Sequence, residues 1–299
     1  MLTEELVLVN GINWGLRFLL ISLGFVVTLR TWNFFNIWHV GAVTIGGYIV
    51  YYFYYVLHLN LGLSILISIA GVIGLGLIVA RYLYHPLRES SLSLMVLSMG
   101  LAFVTNSALE LLFGPTSVAY HSPIKGISFL GSTLVEYIIS AIALSALFLL
   151  WIFLSKTRRG KMIEAFSENS VLASLRGINP NYIFLSTWII SLALAAVSGI
   201  LIGWVQPLLP TMGWRLIVAV FAVTILGRNS LRGILLSSLT IGVAMSFGVY
   251  LFIPESYQFA IVFVILILAL VGRAKYRKTV RNIAILLKIR IRGRKRTEI

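Results

Sequence analysis

The feature that most restricts this chain is a succession of apolar stretches, each near twenty residues, separated by short loops that hold almost all the charge. A helix of about 20 apolar residues matches the roughly 30 Å hydrocarbon core of a bilayer. Such stretches fall at 12–29, 36–57, 61–80, 92–112, 135–154, 182–204, 214–227, 233–252 and 257–272. The seventh and ninth are short, so the pattern predicts eight to nine crossings. Lipid offers the backbone no hydrogen bonds, which leaves only helices and closed barrels as spanning structures. A barrel would show alternating segments of about ten residues, whereas 138–154 presents apolar residues on all faces. The expected fold is all-α, a polytopic integral membrane protein. Residues 1–272 form its transmembrane domain and 273–299 a basic tail.

Composition leads to the same class. The 299 residues are 59% hydrophobic and 11% charged, where soluble domains are about a quarter charged. The formal charge of +15 would suggest nucleic acid in a soluble protein, but 11 of the 24 Lys and Arg lie beyond Gly272 and most others sit in loops between apolar runs. No nucleic-acid partner is expected. With no cysteine there is no disulfide framework, thiolate metal site or thiol nucleophile. The sequence also lacks Asp, a G-x-S-x-G elbow and a P-loop. No catalytic residue, metal or cofactor is therefore assigned. The chain is not expected to be an enzyme, and any energy it uses must come from an ion gradient or another subunit. The start, MLTEELVLVN, is acidic where a cleavable signal would be basic, so the first span is expected to insert and remain.

The loops set an orientation. With the N-terminus outside, Arg30, Arg81, Arg88, the 156–176 cluster, Arg228, Arg232 and the tail all fall on the cytoplasmic side, 21 of 24 basic residues. Only Lys125 and Arg215 fall opposite, with Arg17 inside the first span. The longest outer loop, 113–132, is punctuated by Gly and Pro and suits either a small cap or a plain connector. In the tail, Val280, Ile283, Ala284, Leu287 and Ile291 recur at helical spacing. Arg281, Lys288, Arg290 and Arg292 lie among them, a pattern for an interfacial helix on anionic lipid.

Polar groups inside spans default to function. Arg17 lies near a span end, where its stem can snorkel to the interface. Asn106 and Glu110 share a helix face four residues apart and are placed along a polar path. The stretch 33–48, NFFNIWHVGAVTIGGY, sets Asn36, His39 and Thr44 among Gly41, Gly46 and Gly47. Its glycines permit either close helix approach or a local break near the midplane. Asn36, His39, Thr44, Gly46, Asn106 and Glu110 are thus the expected solute-pathway residues. An ion-coupled transporter or channel using Glu110, Arg17 and His39 is the alternative. The longest polar interval, 156–179, carries four basic residues within six positions and reads as a short amphipathic helix between two spans. Glu164 and Glu168 share one of its faces.

Several stretches resemble the permease subunits of branched-chain amino acid ABC importers, the LivH/LivM type. GINWGLRFLLISLGF at 11–25 is similar to that family's opening span. NIWHVGAVTIGGYI at 36–49 is similar to its N-F-A-H-G and I-G-S-Y stretch, with Asn36, His39, Gly46 and Tyr48 kept. YHPLRESSL keeps Pro86 and Arg88 of a Y-R-P-L-R segment. RRGKMIEAFSENSVLASLRGIN at 158–179 keeps Gly160, Glu168, Ala173, Gly177, Ile178 and Asn179 in order and spacing, and LALAAVSGILIG resembles the start of the span that follows. Together they cover most of 11–272. The departures are Gly41 and Trp38 in the second stretch, a reduced Gly-rich turn at 226–236, a shortened close at Val271 and Gly272, and the long basic tail.

The resemblance implies a cytoplasmic coupling helix within 156–180 that docks on a separate ATPase subunit. Gly160, Glu164, Glu168, Ala173, Gly177, Ile178 and Asn179 would be its coupling residues. It also implies the partners: two ATP-binding subunits, a second homologous permease and an extracytoplasmic solute-binding protein, in a prokaryotic inner membrane. The solute implied is a small polar one, most readily a branched-chain or other amino acid, although relatives of the fold also carry urea or amides, sugars and nucleosides.

Overall fold

The computed structural model describes residues 4–119, 128–129, 132–251, 254, 257–268 and 270–272. It is almost wholly helical. The elements are α1 (Glu4–Trp32), α2 (Trp38–Val50), α3 (Leu61–Val79), α4 (Ser91–Phe113), a short antiparallel pair β1 (Ser128–Phe129) and β2 (Ser132–Thr133), α5 (Leu134–Lys156), α6 (Arg158–Glu168), α7 (Ser170–Leu175), α8 (Pro180–Gly203), α9 (Met212–Leu226) and α10 (Leu231–Leu251). A last apolar helix, α11, spans Gln258–Gly272. Among the described residues six helices are long and apolar enough to cross a membrane: α1, α3 with its extension to Leu87, α4, α5, α8 and α10. The helices α9 and α11 are shorter.

Local chemistry sets the helix starts. Side chains of Asn60, Ser90, Thr157, Asn169 and Asn179 each accept a backbone N–H in the first turn of the following helix, satisfying donors that have no intrahelical partner. Pro180 adds a preset φ at the first position of α8. At the other end, α4 stops at Gly114, whose φ of +84° favours glycine.

Two close-packed helix pairs form the centre. α1 runs antiparallel to α10, and a Cβ on Gly15 would lie 2.7 Å from the Ser238 carbonyl oxygen and 2.9 Å from Leu239 Cα. α2 lies against α8, where a Cβ on Gly46 would come 2.9 Å from Ala196 Cα and one on Gly199 would run into the Val43 carbonyl. Lipid tails are as apolar as leucine, so helices associate in a bilayer through close packing and hydrogen bonds. Gly46 and Gly47 therefore serve close approach, and α2 runs unbroken through Gly41, Gly46 and Gly47.

The break lies just before α2. The 36–57 stretch reads as one crossing, but α2 begins at Trp38 beside Ile21, near the middle of α1, and beside Ser191, near the middle of α8. Residues 33–37 carry the chain into the bundle as irregular backbone, with Phe34, Asn36 and Ile37 buried. Non-helical backbone at such depth is tolerated only where protein supplies its hydrogen bonds. Here the Ile37 N–H donates to Ser98 Oγ at 3.1 Å, and the His39 N–H donates to the Asn36 carbonyl at 3.1 Å. After Val50 the helix continues in a wider turn, 51–56, closed by Leu57 N–H to the Tyr52 carbonyl.

Candidate functional site

The buried start of α2 gathers the polar residues of 33–48. Asn36 Oδ1 accepts the Tyr84 hydroxyl at 3.0 Å, and Tyr84 packs between Phe34, Trp38 and Trp188. Trp38 Nε1–H donates to Thr105 Oγ1 at 2.8 Å. His39 Nε2 lies 3.1 Å from the Ile21 carbonyl and Nδ1 3.1 Å from Ser191 Oγ. A carbonyl only accepts, so Nε2 carries the proton and Nδ1 accepts the Ser191 hydroxyl. Both ring nitrogens of His39 are thereby occupied in this conformation. Thr44 Oγ1 turns back to the Val40 carbonyl at 3.0 Å, and Gly46 supplies the carbonyl that accepts Ser68 Oγ at 2.8 Å. Asn36, His39, Thr44 and Gly46 thus sit in one buried layer between α1, α3, α4 and α8.

Asn106 and Glu110 stand apart from that layer. Asn106 Nδ2 donates to Glu110 Oε1 at 3.1 Å along α4. The cavity beside α4, about 440 Å³ between α2, α3 and α4, is lined by the adjacent face, Thr105, Ala108, Leu109 and Leu112. A second cleft of about 250 Å³ lies at the end of the molecule where α8 closes and α9 and α11 begin, and includes Gln206, Arg215 and Gln258.

Arg17 does not snorkel. Its side chain is 7% exposed, pairs with Glu136 in the first turn of α5 and lies 4.7 Å over the Trp14 ring. A buried guanidinium needs a counter-charge, and α5 brings Glu136 to the same depth. Glu136 Oε2 also accepts the Thr133 N–H at 2.9 Å, while Asn13 bonds both Ser132 and Ser140. These contacts fasten α1 to α5.

The 156–179 interval folds as two helices instead of one. They divide at Asn169, whose extended backbone and side chain cap α7. α6 is fixed to the bundle: Ile163 and Phe166 are buried, Phe166 meets Trp32 at 5.4 Å, Glu164 faces Arg30 at 3.8 Å and Arg159 covers the Tyr182 ring. A side chain at Gly160 would collide with the Phe153 carbonyl. α7 buries Ala173 but leaves Val171, Leu172 and Leu175 exposed, Leu175 by 80%. It ends at Gly177, φ +86°, with Ile178 N–H returning to the Ala173 carbonyl and Gly177 N–H to that of Ser174, the paired bonds of a Schellman end. Glu168 is the last residue of α6 and Asn179 caps α8. The same end of the molecule carries Arg30, Arg88 (bonded to Asn181) and the 227–230 turn, whose neighbour Leu231 meets Glu164 across a small cleft.

Sequence reasoning passed over Tyr84, Ser98, Glu136, Trp188 and Ser191. All but Trp188 make the hydrogen bonds just described. Serines in apolar helices are too common to signal alone, and Glu136 reads as an ordinary first-turn carboxylate until its depth beside Arg17 is known. Arg281, Lys288, Arg290 and Arg292 lie outside the described residues.

A helical bundle of membrane-crossing length, with buried polar residues at its centre and two short helices standing outside one end, defines a polytopic α-helical membrane protein. Residues 7–270 match the family described as "Branched-chain amino acid transport system / permease component", and the chain belongs to that family. It is 27% identical over 280 residues to the high-affinity branched-chain amino acid transport system permease protein LivH of Salmonella typhimurium, covering 87% of this chain and 91% of that one. It is 27% identical over 285 residues to the corresponding BraD of Pseudomonas aeruginosa, covering 89% and 92%. A probable branched-chain amino acid transport permease protein LivH of Methanocaldococcus jannaschii is 25% identical over 259 residues, covering 83% of this chain and 82% of that one. Among solved structures, a chain of PsaBC from Streptococcus pneumoniae in complex with Fab is similar over 88% of this chain and 89% of that one, at 16% identity and a TM-score of 0.47.

Proposed function

We propose that this chain is the membrane-spanning permease subunit of an ABC importer for branched-chain or other small amino acids, driven by ATP hydrolysis on separate subunits. Beyond family membership, the observation that carries the reading is α7, a capped helix outside the bundle whose apolar side chains Val171, Leu172 and Leu175 stay exposed among the described residues. Exposed apolar residues grouped on one element mark an interaction surface. The concentration of basic residues at that end supports its being cytoplasmic, with the N-terminus outside and eight to nine crossings. Of two ATP-binding subunits one grips α7, a second homologous permease completes the path, and a solute-binding protein delivers the substrate outside. The tail, through Arg281, Lys288, Arg290 and Arg292, rests on anionic lipid of a prokaryotic inner membrane.

The mechanism follows from how α6 is held. A displacement of α7 passes to α6, and Phe166 of α6 packs on Trp32, whose Nε1–H donates to Thr187 Oγ1 of α8 at 3.1 Å. Trp32 is the last residue of α1, and 33–37 follow it into the bundle. Motion at the ATPase is thereby delivered to the backbone that positions Asn36 and His39. A rigid helix transmits such a displacement where a flexible loop would absorb it.

The test replaces Val171 and Leu175 together by Ser in the full importer. The permease should purify as before, while its co-purification with the ATP-binding subunits and its ATP-driven uptake both fall at least tenfold. Unchanged assembly with normal uptake removes the coupling role from α7.

A further inference from the structure

The cleft between the start of α9 and the start of α11 holds a cation in an unusual place. Arg215 lies in the first turn of α9, and no acidic residue shares that turn. A positive charge there opposes the helix dipole, whose N-terminus already favours anions. Among the described residues Arg215 makes no ion pair, and its guanidinium lies 5.4 Å over the Phe259 ring. With Lys125 it is also one of only two cations outside the first span on the side that the positive-inside pattern leaves almost empty. Arg215 is exposed and so needs no counter-charge, but two independent tendencies, the helix dipole and the positive-inside bias, run against a cation at this place, and sequences depart from such tendencies mainly at functional sites.

The surroundings say what the cation is for. Gln206 and Gln258 add amide groups to the same cleft, while Leu209, Leu216 and Phe259 give it an apolar wall. With an aromatic ring 5.4 Å away and no ion pair among the described residues, the Arg215 guanidinium can offer its N–H groups to a planar two-oxygen acceptor. A cavity of about 250 Å³ is smaller than the roughly 300–1,000 Å³ of drug-sized sites, which suits a solute of a few heavy atoms.

We infer that this cleft is a receiving site for the amino acid at the outer mouth of the permease. Arg215 binds the α-carboxylate, the two glutamines hydrogen-bond the polar end, and Leu209 with Leu216 accepts an aliphatic side chain. The inference rests on the permease reading above and names a substrate contact within it. The concave, half-apolar lining favours a small zwitterion over an acidic side chain of the solute-binding protein, which would need only an exposed cation.

The test uses the complete importer in proteoliposomes with saturating, leucine-loaded binding protein. Arg215→Gln should lower leucine uptake at least tenfold and Arg215→Lys should keep a larger share of it. The affinity of the loaded binding protein for either variant assembly should stay within twofold of wild type. Uptake by Arg215→Gln equal to wild type overturns the inference. So does a loss that tracks weakened binding-protein affinity, which would assign Arg215 to docking that protein. If Arg215→Gln does not fold, Gln258→Leu decides: a severalfold loss supports the site and full uptake removes it. Failure of the wild-type assembly to transport any amino acid would instead overturn the permease reading.

Discussion

α1 and α4 have the same mean hydropathy over their most apolar stretches, yet 89% of that stretch is buried in α1 and 22% in α4. In water such a pair could not coexist, because apolar residues would be driven inside. In a bilayer the driving force between apolar groups and their surroundings is nearly absent, so hydropathy identifies a span without saying what covers it. Small residues and hydrogen bonds make the difference. α1 carries Gly11, Gly15 and Gly24, each approached by backbone or a ring within about 3 Å of where a Cβ would lie, together with Asn13 and Arg17 and their partners Ser140 and Glu136 on α5. Gly100 of α4 faces open space, and its Leu111 and Leu112 are largely exposed.

The largest expected effect comes from making the same change in both helices. Gly15→Leu would force a side chain into the Ser238–Leu239 backbone of α10, where neither neighbour can yield. Its cost should exceed about 5 kcal/mol, beyond ordinary overpacking, and leave no folded protein. Gly100→Leu meets nothing within 4 Å and should be neutral or stabilising by up to about 1 kcal/mol through helix propensity. Size-exclusion profiles and thermal stability in detergent read both. Equal tolerance at the two sites would show that α1 is not the packed centre.

The ion pair sharpens the same contrast. Arg17→Met leaves the partly buried Glu136, 18% exposed, without its counter-charge, at a cost somewhat below the roughly 3–5 kcal/mol of a fully buried pair. Arg17→Met combined with Glu136→Met removes both charges and should recover most of that loss. In α4, Glu110→Gln keeps an acceptor for Asn106 and should change stability by less than about 1 kcal/mol. A double variant no better than Arg17→Met alone would mean that the pair does more than balance charge, for instance by holding α1 and α5 in one of two arrangements.

What was legible in the sequence followed the same physics. Every apolar stretch corresponds to a helix because length and hydropathy alone dictate that in lipid. The end of α7 at Gly177 and the start of α8 at Asn179 rest on cap chemistry, which is local and therefore present in the sequence. The depth of α2 was not legible. Its half-way start depends on Ser98 and Tyr84, residues over forty positions away that satisfy 33–37. Nor was the partner of Arg17, because a carboxylate that caps a helix and one that neutralises a buried cation look alike in one dimension. The 156–179 interval divided in two for a reason the sequence did contain, the capping side chain of Asn169, but a continuous amphipathic pattern masked it.

The smallest effect is the most informative about what covers α4. Leu23 of α1 is fully buried and Leu111 of α4 is 86% exposed. In soluble cores Leu→Ala costs about 2–5 kcal/mol, part of it transfer from water and part the cavity left behind. Between lipid and a helix interface the transfer part nearly vanishes, so Leu23→Ala should cost only the packing share, about 1–3 kcal/mol. Leu111→Ala should cost the isolated chain within about 0.5 kcal/mol, as surface changes do. If the second permease sits on this face, the same Leu111→Ala should leave thermal stability of the single chain unchanged and still weaken pairing of the two permeases in cross-linking yield. If lipid alone covers it, both readings stay at wild-type values. A loss of stability in the isolated chain would mean that part of this same chain already packs on α4.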